Sequence, residues 1–108
     1  MVSSVLVVES HADLRSVIME VLTRADYRCD AAASANDALL KLRQGDYAYI
    51  VVDVDSSSSM TPLCAAIAAE PELMAKLVLI GDENAPEGMS DQPLLHKPFD
   101  ANELLSRL

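Results

Sequence analysis

A chain of 108 residues is long enough for one packed core and too short for two. Seventeen acidic against eight basic side chains leave a net charge of -9, which argues against nucleic-acid binding and favours a cation or a basic partner. Hydrophobic residues make up 51% but aromatics only 4%, a composition suited to helices lying close on a sheet. Cys29 and Cys64 have neither the spacing of a zinc or redox motif nor the density of a secreted disulfide scaffold, so they read as small core residues in a reducing compartment. The N-terminus lacks a basic region ahead of its apolar run, and no apolar stretch approaches a membrane span. A cytoplasmic location with no membrane contact is expected.

Val5 to Val8 is an apolar run that reads as a first buried strand and stops at Glu9-Ser10. Leu14, Val17, Ile18, Val21 and Leu22 then recur with helical spacing, with Asp13 in the first turn and Arg24 in the last. Tyr27 to Ala33 alternates loosely and carries Arg28 and Asp30, which predicts an edge strand. Ser34 to Asp37 has the spacing of a capping box and opens a second helix that Gly45 ends. Ile50-Val51-Val52-Asp53 is a β-branched strand, buried on both faces, that ends abruptly in a carboxylate, with Asp55 two residues on.

Ser56 to Ser59 is expected to be a loop. Thr61-Pro62 supplies an N-cap and a first-turn proline for a third helix over Leu63 to Ala69, interrupted or ended by Pro71. Leu77 to Ile80 is a fourth strand, stopping at Gly81-Asp82. Glu83 to Gln92 contains Pro86 and Gly88 and only Met89 as a large apolar residue, so a loop or single turn is expected there. Leu94 to His96 is a fifth strand, followed by Lys97-Pro98-Phe99. Asp100 to Glu103 is a capping box for a last helix, and the chain stops when that helix is barely two turns old, which suggests a longer protein. The alternation predicts one α/β domain over residues 1–108: a doubly wound, parallel, five-stranded sheet of order 2-1-3-4-5.

In such a sheet the ends of strands one, three and five bring Glu9, Asp53 and Lys97 to the crevice where ligands bind. Carboxylates gathered there are costly unless a cation lies between them. Glu9, Asp53 and Asp55 offer oxygen ligands suited to Mg²⁺, which accepts few protein carboxylates and keeps several waters. Lys97 supplies a positive charge opposite. An aspartate flanked by a hard cation and a lysine is set up to attack phosphorus. Each residue alone also fits a plain role as cap, turn or structural ion pair. Pro98 is a candidate for the cis isomer, which would aim Lys97 at the site.

On these residues the chain resembles the receiver domains of bacterial response regulators, a flavodoxin-like fold, over essentially its whole length. Val7-Val8-Glu9-Ser10 resembles the family's acidic pair, Val51-Val52-Asp53 its phosphoacceptor strand, and Lys97-Pro98-Phe99-Asp100 its Lys-Pro-Phe signature. The resemblance implies that Asp53 takes a phosphoryl group from the phosphohistidine of a histidine kinase or phosphotransfer protein, with Mg²⁺ bound, and that Lys97 responds to the added charge. It implies a signalling domain rather than an enzyme, with a downstream protein partner or a fused output domain.

The departures make this an atypical member. Ser10 stands at the family's second acid, Gly81 at the Thr or Ser that grips the phosphoryl group, and Leu94 at the aromatic that rotates on activation. The fourth helix is expected to be shortened or missing. Weaker Mg²⁺ binding follows from Ser10, with Asp55 as a replacement carboxylate. One alternative is a phosphorylation-independent pseudo-receiver acting as an interaction module. A remote alternative is a haloacid-dehalogenase-like phosphatase, on the D-x-D pattern of Asp53-Val54-Asp55. His11 and His96 read as ordinary surface or strand residues.

Overall fold

The computed structural model describes residues 3–54, 60–82, 89 and 92–108. Three apolar runs set the architecture: β1 (Ser4–Val8), β3 (Tyr49–Asp53) and β4 (Leu77–Gly81), each buried after its first residue. Strands this uniformly buried need cover on both faces. They lie side by side in one parallel sheet of order β2-β1-β3-β4-β5, with β2 (Arg28–Ala32) and β5 (Leu94–His96) at the edges. The expected strand order is therefore observed. β2 alternates exposed and covered residues, as an edge strand should.

Alternation along the strands sorts the core into two layers. Leu6, Val8, Ile50, Val52 and Leu79 pack with Ala35 and Ala38 of α2 (Ala35–Gln44) and with Leu63 and Ile67 of α3 (Thr61–Ala68). Val5, Val7, Val51, Val78 and Ile80 pack on the other side with Ile18 and Leu22 of α1 (Ala12–Arg24) and Leu104 of α5 (Ala101–Leu105).

Helix boundaries follow local chemistry. Ser34 Oγ accepts the Asp37 N–H at 3.2 Å, and Asp100 and Glu103 form a reciprocal capping box. α1 ends in a left-handed residue, Asp26 at φ 70°, with Tyr27 N–H donating to Leu22 O at 3.0 Å and Asp26 N–H to Thr23 O at 3.1 Å. Two boundaries differ from expectation. Met60, not Thr61, is the residue preceding α3, so Thr61 already lies inside the helix. Pro71 starts a further one-turn helix, α4 (Pro71–Met74), because a proline at a first helical position lacks only an N–H that would be unbonded anyway.

Of the segment expected to be a loop or single turn, Met89 is fully buried in the α2/α3 layer. The rest of that segment up to residue 91, where the shortened or missing helix was expected, lies outside the described residues, as does the serine run. No helix among the described residues is long and apolar enough to cross a membrane.

Candidate functional site

The β1–β3 register places Val7 beside Val51 and Val8 beside Val52. One step further along both strands, Glu9 stands beside Asp53. By the two-residue repeat both belong to the face that carries Val5, Val7 and Val51. Two carboxylates are thus delivered side by side, and both are buried, Glu9 at 0% and Asp53 at 1% exposure.

Lys97 comes from two strands away. β4 lies between β3 and β5, and its last residue, Gly81, pairs with His96. The Lys97 N–H donates to Gly81 O at 3.3 Å, and its side chain crosses the end of β4 so that Nζ donates to Asp53 Oδ2 at 2.5 Å. The Lys97-Pro98 bond is cis. The ion pair is well shielded, with Lys97 21% exposed. Burying a charge pair costs desolvation, which the attraction across this short contact must offset.

Glu9 is held from several directions. Its N–H donates to Ala32 O of β2 at 3.0 Å, and its carbonyl accepts from Arg15 Nη1 at 2.9 Å. Its carboxylate Oε1 accepts the His11 N–H at 2.9 Å and lies 3.2 Å from His11 Nδ1. Oε2 is buried with no hydrogen-bond partner. Burial first, and then the neighbouring Asp53 carboxyl, push the Glu9 carboxyl up from 4.5 to about 7, while the donors from His11 oppose the rise.

The other expected site residues fall as follows. Ser10 is exposed, immediately after Glu9. Gly81 is buried at the end of β4 and contributes a carbonyl to the Lys97 backbone, with no side chain of its own. Leu94 is half-buried on β5 and packs against the α2/α3 layer. Asp55 lies outside the described residues. His11 and Arg15 are contacts that spacing alone does not reveal; the available signal was the acid-x-His pattern at the turn into α1. The two cysteines are free, Cys64 buried and Cys29 half-buried.

The arrangement fits a hard cation in its donor set. It offers two buried carboxylates, one with an unbonded oxygen, and Mg²⁺ commonly takes only one or two carboxylates and otherwise keeps water. Among the described residues no three His, Cys, Asp or Glu side chains converge as a metal-binding group, so a third protein carboxylate is not available from them.

Comparison with known proteins gave neither a matching family model nor a matching curated relative. Solved structures do match. The chemotaxis response regulator CheY4 of Vibrio cholerae superposes with a TM-score of 0.82 at 22% identity, covering 99% of this chain and 96% of that one. A CheY-like response regulator receiver domain from Methylobacillus flagellatus gives 0.82 at 21%, with 99% and 96% covered. A sensor protein from Polaromonas gives 0.77 at 24%, with 96% and 90% covered. Strand order, sheet polarity and the full-length superposition agree: this chain has the CheY-like fold of response-regulator receiver domains.

Proposed function

We propose that this chain is a phosphoacceptor signalling domain of a two-component or phosphorelay pathway, with Asp53 as the acceptor. The observation that carries the reading is the Asp53–Lys97 contact at the carboxyl ends of the strands, with the Glu9 carboxyl beside it. The donor is a histidine kinase or phosphotransfer protein. An Asp53 carboxylate oxygen forms a bond to phosphorus as the phosphorus–nitrogen bond of the donor's phosphohistidine breaks; the acyl phosphate stays on Asp53, the bonding electron pair goes to the ring nitrogen, and the ring leaves as neutral imidazole, its other nitrogen keeping the proton it already held. Lys97 contributes a fixed positive charge next to the oxygens that become more negative, and costs no reorganisation because it is already in place. Glu9 and Asp53 would hold Mg²⁺, and Mg²⁺ would supply further charge stabilisation there.

The output is a protein contact. Gly81 offers no hydroxyl to a phosphoryl oxygen, a loss of about 1.5 to 3 kcal/mol for a hydrogen bond to a charged group. Leu94 replaces an aromatic switch on β5. Both changes weaken the link from phosphorylation to surface rearrangement more than they weaken the acceptor itself. Incubation with acetyl phosphate or phosphoramidate and Mg²⁺, followed by intact mass, tests the reading. One added phosphoryl group that vanishes in Asp53→Ala is the expected result; no gain overturns it and leaves a constitutive interaction module.

A further inference from the structure

His11 occupies the position that opens α1, where a short polar side chain normally accepts an N–H of the first turn. Its ring makes no such bond. The residue turns back instead, and both its N–H, at 2.9 Å, and Nδ1, at 3.2 Å, meet the same oxygen, Glu9 Oε1. The ring is 76% exposed, so it adds little to the core. The oxygen it leaves alone, Oε2, is buried and has no hydrogen-bond partner. A carboxylate with one oxygen held by two donors cannot rotate without losing both, so its second oxygen has a fixed direction.

We propose that His11 is a positioning residue for the cation pocket: by fixing Oε1 it presents Oε2 to a divalent cation shared with Asp53. The inference rests on the reading of Glu9 and Asp53 as cation ligands. Ser10 makes the device necessary. With a hydroxyl where a second carboxylate would stand, the orientation of the single Glu9 carboxylate governs how well the pocket is preset, and preorganised ligands bind more tightly than mobile ones. With Glu9 ionised, Nδ1 carries the proton that it donates to Oε1.

Calorimetric titration of the whole chain with Mg²⁺, in the unaltered protein and in His11→Ser and His11→Ala, separates positioning from simple support of the fold. Serine at this position can cap α1, so His11→Ser is expected to raise the unfolding temperature by roughly 4 °C. Its Mg²⁺ affinity is nevertheless expected to fall roughly tenfold, as in His11→Ala. A ring with only a structural role would move stability and affinity in the same direction. Affinities within about twofold of the unaltered chain in both variants overturn the proposal. A parallel Co²⁺ titration in which the loss is at least roughly tenfold larger than for Mg²⁺ also overturns it, because the ring would then be a ligand. Absence of Mg²⁺ binding in the unaltered chain sinks both this proposal and the cation assignment. Intact binding without phosphoryl gain on Asp53 sinks only the proposed function.

Discussion

At the residue scale the central fact is a carboxyl group placed where ionisation is expensive. Glu9 titrates at about 7 in the fold against 4.5 in the open chain, chiefly through burial. The sign follows from which form the fold prefers. A raised acid is favoured in its protonated form, so the associated stability is complete below about pH 4.5 and is lost as pH rises to about 7. The loss is on the order of 3 kcal/mol without a divalent cation. Glu9→Gln is expected to flatten that slope, so that urea midpoints of variant and parent diverge between pH 5 and 7.5 and run parallel above. The two carboxylates were legible beforehand because an apolar run that stops in an acid is conspicuous. The His11 contact was not, because the direction of an exposed ring is decided by the turn between β1 and α1 and leaves no periodic trace.

At the element scale, strands were easier to read than helix ends. β1, β3 and β4 announce themselves as unbroken apolar runs, and their order follows from the alternation with helices. α4 escaped because four residues cannot show a period, and Thr61 was placed one residue too far out because both Met60 and Thr61 can precede a proline in a first turn. The end of α1 offers a test of the local reasoning. Asp26 holds φ 70° in an exposed turn, a conformation that costs a residue with a Cβ but not glycine. Asp26→Gly is expected to stabilise the domain by about 0.5 kcal/mol, measured by chemical denaturation, the gain being trimmed by the greater freedom of glycine in the unfolded chain.

At the scale of the whole molecule, charge dominates. A net charge of -9 on 108 residues means that the folded form repels itself, and part of that repulsion is concentrated at the strand ends. NaCl is expected to raise the unfolding temperature by screening. Mg²⁺ at matched ionic strength is expected to raise it further, with the excess removed in Asp53→Ala; equal shifts from both salts would show general screening alone. The fold was legible in outline because composition, strand ends and signature residues pointed to the same sheet. Lys97 at the end of the fifth strand was legible from the predicted strand order and from the Lys-Pro-Phe resemblance, but its path across β4 was not, because that depends on strand pairing. That path has a consequence for the life of the chain. Asp53 and Lys97 are 44 positions apart and meet only after β4 and β5 have docked. A nascent or clipped polypeptide lacking residues 97–108 would therefore carry the aspartate without its counter-charge, and the proposed phosphoryl transfer would wait until the strands beyond Asp53 had been made and docked.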